Sequence, residues 1–283
     1  MPIFILSCER SGSTLLRFLL DTHPEVIAPG ELGLGDLCQR LVLVKSRTVG
    51  QQKSRPVSVV PDWVHNHNDS LSPEVREILL STRKTVEGIM EPYVRAAGKK
   101  RWCEKAPSNL PFANLLRLTF PDAQFLCLYR HGLDVAHSCL ELSKHGFMKE
   151  LVPYVLTSPG DTVTAVLRSW LDKTAKLLYF ESCFPQICHR VRYEDLVENP
   201  EANLLKILEF LDLQKHDVHE QVFRSTHHAG GGDPKIWQTD HIHTEGVGCG
   251  ARLPISRLPQ ALLDKIDDLL RTLNYRKIGH AVS

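Results

Sequence analysis

The chain opens on a strand, a polar loop and a helix in immediate succession: Ile3-Phe-Ile-Leu-Ser-Cys8, then Glu9-Arg10-Ser11-Gly12-Ser13-Thr14, then Leu15-Leu16-Arg17-Phe18-Leu19-Leu20. The first run is short, apolar and rich in branched and aromatic residues, which is the pattern of a buried strand. Leu15, Leu16, Leu19 and Leu20 share one face of the helix that follows. The loop between them is an anion cradle. Gly12 lets backbone approach a ligand closely, the free amides at the helix N-terminus and the small hydroxyls favour phosphate or sulfate, and Arg10 adds a cation. It resembles a phosphate-binding loop, but the Gly-x4-Gly-Lys-Ser/Thr spacing of ATP and GTP hydrolases is absent, and no lysine lies between Ile3 and Leu20.

The same alternation repeats downstream. Arg101-Trp-Cys-Glu-Lys105 is a short strand ending in the polar turn Ala106-Pro107, followed by a helix over Asn109 to Phe120; Gln124 to Tyr129 is another buried strand, running into Arg130-His-Gly-Leu-Asp134-Val-Ala-His-Ser138. Strand, helix, strand, helix predicts a parallel sheet with helices on both faces, and ligands then sit beyond the carboxyl ends of the strands, where both polar junctions fall. Between these units a helical pattern begins near Glu31-Leu32 and runs through Val42, and Ser72-Pro73-Glu74 starts a long helix to Ala97. Residues 45 to 70 have no clear period and read as either a substrate-facing lid or a plain surface loop. Residues 145 to 159 are irregular; a helix follows over Thr162 to Cys183, a strand over Ile187 to Arg192, a helix from Pro200, loops over 225 to 257, and an amphipathic helix from Pro259 to Leu273.

Composition narrows the partners. Over 283 residues, 34 Lys plus Arg against 33 Asp plus Glu leave a net charge of +1, so no bulk field attracts nucleic acid or membrane, and anions must be held by local clusters. The partner is accordingly expected to be a small ligand, and, with no repeat, low-complexity tract or interdomain linker in sight, the chain is expected to be a single domain over 1–283. Eight cysteines with no Cys-x-x-Cys pair, most of them inside apolar segments, favour a reducing cytoplasm. The apolar start is too short for a signal segment or a membrane span.

Arg130 and Ser138 are eight residues apart at the second junction and suggest a second anion site, an arginine at a strand end sharing a phosphate with a hydroxyl on the following helix. Two separate anion sites suit a nucleotide with phosphates at both ends. Here the chain resembles the sulfotransferases that use 3′-phosphoadenosine 5′-phosphosulfate. Arg10-Ser-Gly-Ser-Thr14 is similar to their first signature and Arg130-x3-Asp134-x3-Ser138 to their second. Glu104-Lys-Ala-Pro107, Phe120-Pro-Asp-Ala123, Arg192-Tyr-Glu-Asp-Leu196 and Gly232-Asp-Pro-Lys-Ile236 are also similar to family segments, in the same order.

The resemblance implies a three-layer α/β sandwich, the phosphosulfate donor as co-substrate with the bisphosphate as product, and no metal requirement. It assigns the 5′-phosphosulfate to Arg10, Ser11, Gly12, Ser13 and Thr14, and the 3′-phosphate to Arg130 and Ser138. The pattern is closer to the bacterial and tyrosylprotein-type branch than to the cytosolic phenol and steroid branch, whose Lys-Thr-His histidine is replaced here by Ala106-Pro107 after Lys105. In that branch a glutamate past the loop arginine is the proposed base, and Glu31 stands in the matching place. Burial would have to raise its pKa toward neutrality. Lys105 and Arg10 then stabilise developing charge. Tyr193 reads either as a stacking partner for adenine or as a core tyrosine.

Departures are specific. Glu9 puts a carboxylate beside the anion loop and must point away or pair with a base. Cys249 replaces the arginine of the family's late Gly-rich loop, with Arg252 as the expected substitute. His227, His228, His241 and His243 match no compact zinc spacing, and one of them is expected to assist the acceptor. An ATP-dependent small-molecule kinase and a non-catalytic nucleotide-binding module remain the alternatives.

Overall fold

The computed structural model describes residues 1–52, 71–144, 149–228, 233–255 and 258–278. From the N-terminus, β1 (Ile3–Ser7) leads into α1 (Ser13–Thr22), β2 (Val26–Ile27), α2 (Leu34–Gln52) and α3 (Pro73–Ala96). Then come β3 (Arg101–Lys105), α4 (Ala113–Thr119), β4 (Gln124–Tyr129), α5 (Gly132–Ser143), α6 (Val152–Leu156) and α7 (Thr162–Cys183). β5 (Cys188–Arg192), α8 (Tyr193–Glu198), α9 (Pro200–Phe210), α10 (Val218–Gln221) and α11 (Gln260–Thr272) complete the order.

The strands form one sheet in the order β2-β3-β1-β4-β5 with every pairing parallel. Ile3 of β1 lies opposite Cys103 on one side and Gln124 on the other. β1 is buried along its whole length, as a continuous apolar run in the middle of a parallel sheet must be. Alternate side chains divide between two cores. Phe4, Leu6, Trp102, Phe125, Cys127 and Tyr129 face α2, α3, α4, α7 and α11, whereas Ile3, Ile5, Cys103, Leu126, Leu128 and Val191 face α1 and α9. The result is the three-layer α/β arrangement expected from the strand and helix alternation. Leu15, Leu16, Leu19 and Leu20 all pack into the second core, as their spacing predicts.

Three expectations need correction. The chain from residue 45 is not loop from its start, because α2 runs on to Gln52: Lys45 Nζ donates to the hydroxyls of Ser81 and Thr85 on α3 at 2.8 and 3.3 Å, a tertiary anchor that no apolar period announces. Residues 53–70 lie outside the described residues. Glu31 does not open a helix; α2 starts at Leu34, after Gly33 turns left-handed at φ +64°. The segment from Asn109 begins as a 3-10 turn over Pro107–Phe112, since Pro111 lacks the N–H an α-helix would use there.

Candidate active site

The five strands point their C-terminal ends at one place, and each end supplies a candidate side chain. β1 feeds the 8–14 loop, β2 leads to Glu31, β3 ends on Lys105, β4 is followed by Arg130, and β5 by Tyr193. All five border a cavity of about 660 Å³. This is the edge at which parallel sheets bind ligands, and β1 lies at its centre with β3 on one side and β4 on the other.

The first loop is held open by backbone geometry. Gly12 is left-handed at φ +90°, and a Cβ there would meet the Tyr193 ring at 2.2 Å, so a glycine is required both for the turn and for the close approach. Arg10, a non-glycine residue, is also left-handed at φ +61°, a strained conformation that persists only where surrounding contacts hold it. Its guanidinium donates to Ser138 Oγ at 3.0 Å and pairs with Asp233 at 2.8 Å. Asp233 is fastened to the same loop, its N–H donating to Thr14 Oγ1 at 3.0 Å. The cation of the first signature therefore bonds the hydroxyl of the second.

Arg130 is buried and braces two loops: Nη1 donates to the carbonyl of Arg10 at 2.8 Å and Nη2 to that of Gly246 at 2.6 Å. Its guanidinium lies 4.3 Å from the centroid of the Tyr193 ring. Its Nε, like Ser11 Oγ in the first loop, is buried without a hydrogen-bond partner. Buried polar atoms are nearly always satisfied, and these two are among seven unpartnered side-chain atoms of the described residues, with Ser7 Oγ, Arg17 Nε and Nη2, Ser169 Oγ and Arg192 Nε.

Glu31 and Lys105 form an ion pair, the lysine 1% and the glutamate 29% exposed. Burial lowers the Lys105 pKa, Glu31 opposing the shift; Lys105 also reaches Thr14 Oγ1 at 3.5 Å. Glu104, the residue before it, is fully buried and points to the opposite face of the sheet. Burial raises its carboxyl to about 7, against the pull of the amides of Leu32 and Gly33 and the side chain of Asn109.

The structure thus brings Arg10, Gly12, Ser13, Thr14, Glu31, Lys105, Arg130, Ser138 and Tyr193 together around the cavity, with Ser11 buried in the loop behind it. Arg252 is not brought there. Asp134 accepts from the amides of Gly248 and Gly250, both at 2.8 Å, and Gly250 sits so close to Leu133 that a Cβ would meet its backbone at 2.2 Å. That pinned turn leaves Arg252 exposed and puts Cys249, not Arg252, beside Arg130. Glu9 is resolved as a pair with Lys173, which contacts both its oxygens at 2.6 Å. Of the histidines, His227 is buried against Asp21 and the carbonyl of Val222, while His241 and His243 border the cavity. Among the described residues, Asp240, His241 and His243 place their ligand atoms within 4.8 Å of one another at its exposed rim.

Sequence reasoning gave no role to Asp233, Asp134 or Glu104, although each lies inside a quoted segment. An acidic residue next to an anion site reads as unfavourable until its partner is seen, and no spacing reveals partners that lie from 71 to 223 residues away in the chain.

A parallel sheet whose strand ends deliver an arginine-bearing loop, a second arginine and a carboxylate–lysine pair to one cavity defines a three-layer α/β protein of P-loop-like build. Residues 2–217 match the sulfotransferase family, and the chain belongs to it. Among curated proteins it is 27% identical over 75% of its length to a putative protein-tyrosine sulfotransferase of Caenorhabditis briggsae, and 29% identical over 78% to protein-tyrosine sulfotransferase A of Caenorhabditis elegans. The chain spans 65% and 53% of those two relatives. Two solved structures share the fold: the sulfotransferase domain from the curacin biosynthetic pathway, with TM-score 0.63 and 20% identity over 98% of this chain and 99% of that one, and the sulfotransferase domain of the Synechococcus PCC 7002 olefin synthase, with TM-score 0.62 and 23% identity over 98% and 95%.

Proposed function

We propose that the protein transfers a sulfuryl group from 3′-phosphoadenosine 5′-phosphosulfate to an acceptor hydroxyl by in-line displacement, with residues 1–283 acting as one domain. The observation that carries the reading is the joining of the two anion signatures: Arg10 of the first donates to Ser138 of the second, and Arg130 of the second holds the Arg10 carbonyl. A nucleotide phosphorylated at both ends fits a pair of anion sites built back to back, and Arg130, which borders the cavity, keeps an unpartnered Nε beside them.

In this reading Arg10, the 11–14 amides and the Ser13 and Thr14 hydroxyls hold the sulfonate-bearing end, while Arg130 and Ser138 hold the 3′-phosphate. Tyr193, flat against Arg130, lies where an adenine could stack. Glu31 takes the proton from the acceptor oxygen. Lys105, buried and touching both Glu31 and Thr14, stands between the base and the anion loop, where it stabilises charge on the transferring group and its leaving oxygen. Positioning and fixed cations do the work, as in phosphoryl transfer, and we assign no metal to it.

The acceptor is a small molecule or a carrier-bound chain bearing a hydroxyl, and the tyrosyl phenol named in the relatives belongs among those to test. Eight free cysteines support a reducing compartment such as the cytoplasm, and no helix among the described residues is long and apolar enough to cross a membrane. Calorimetry with adenosine 3′,5′-bisphosphate against ADP, followed by sulfur-35 transfer to a panel of hydroxyl compounds, tests the proposal. Equal or reversed affinity for the two nucleotides would sink it.

A further inference from the structure

A base that takes a proton in the transition state has to be held in place, and Glu31 lies in a loop with a left-handed glycine two residues on. That loop is gripped at the end of β3. Glu104 Oε1 accepts from the amides of Leu32 at 3.1 Å and Gly33 at 3.0 Å. Its other oxygen accepts from Asn109 Nδ2, and Asn109 Oδ1 accepts from the amide of Gly35 at 2.8 Å. Two buried side chains thus satisfy three backbone donors, those of Leu32, Gly33 and Gly35, around the start of α2, a cap supplied from another element.

Strand geometry gives the arrangement its meaning. Glu104 and Lys105 are neighbours on β3 and project to opposite faces of the sheet. The 31–35 loop therefore wraps over the strand end, with Glu31 drawn to Lys105 on one face and the next residues tied to Glu104 on the other. We infer that Glu104 and Asn109 are positioning residues that fix Glu31 against Lys105 for proton abstraction. The inference rests on the assignment of Glu31 as the base.

The hydrogen-bond inventory dictates a specific test. In Glu104→Gln the new Nε2 faces Asn109 Nδ2, donor against donor, and an Asn109 flip only transfers the clash to the Gly35 amide. Adding Asn109→Asp restores every donor–acceptor match, because the Asp accepts from Gln Nε2 and from Gly35 while Gln Oε1 still accepts from Leu32 and Gly33. Glu104→Ala and Glu104→Gln should lower kcat by roughly ten- to a hundredfold with the KM for the phosphosulfate donor within about twofold. Hydrogen exchange at amides 32, 33 and 35 should rise in both, and the double swap should return both readouts toward wild type. Unchanged exchange, raised exchange with unchanged kcat, or a double variant no better than Glu104→Gln overturns the inference. A wild-type protein that transfers to no acceptor overturns the functional reading and this inference with it, and is told apart from clamp failure by the wild-type exchange pattern.

Discussion

Replacing Arg130 by alanine removes more than one interaction, and the assay has to separate them. The guanidinium donates to the Arg10 carbonyl at 2.8 Å and the Gly246 carbonyl at 2.6 Å, lies over the Tyr193 ring, and has a buried Nε with no hydrogen-bond partner. A hydrogen bond from a charged donor contributes about 1.5–3 kcal/mol, so a 3′-phosphate that loses it should bind roughly 10- to 150-fold more weakly. The same truncation frees two carbonyls and ends a cation–π contact worth about 0.5–2 kcal/mol, which loosens the protein whatever the ligand. Calorimetry with adenosine 3′,5′-bisphosphate and with AMP, on wild type and Arg130→Ala, isolates the phosphate contact. The bisphosphate should lose the full factor while AMP shifts by less than about threefold. Equal losses for both nucleotides would mean that Arg130 only braces the loops, and the two-anion reading would fail.

Glu31→Gln should abolish transfer while leaving bisphosphate affinity within about threefold, since Glu31 meets Lys105 and not the anion loop; surviving turnover places the base elsewhere. Asp233→Asn frees Arg10 from its 2.8 Å ion pair, so bisphosphate affinity should rise by about fivefold, measured by the same titration; a fall would make Asp233 part of the binding surface instead. Glu104 predicts a stability slope with pH. Its carboxyl is near 7 when folded against 4.5 in the free chain, so below about pH 4.5 it is protonated in both states; stability is lost as pH rises toward and through 7, by about 3 kcal/mol in all. Urea unfolding near pH 5 and pH 8 should show that loss in wild type and its removal in Glu104→Gln; parallel slopes refute it.

The parallel sheet was legible because a buried parallel strand must be apolar on both faces, which makes β1 and β4 stand out from any helix. β2 was not, since two residues, Val26 and Ile27, carry no period. The anion loop could be read from Gly12 and its hydroxyls, because a left-handed close approach and free helix amides leave a local residue signature. The continuation of α2 to Gln52 could not, because its contacts with α3, among them Lys45 with Ser81 and Thr85, cross a gap in sequence.

What the sequence determined by itself, then, is local: strand ends that carry arginine, lysine or glutamate, and a glycine where the backbone must turn. Which of them meet is set by the packing of the folded chain. Arg10 with Ser138 and Asp233, Glu31 with Lys105, and Glu104 with the 32–33 amides are contacts between separate strand ends, and the sheet order that aligns those ends sets them. Arg252 marks the difference: two residues past the pinned Gly250 it is close to the site in sequence, and the direction of one turn leaves it outside.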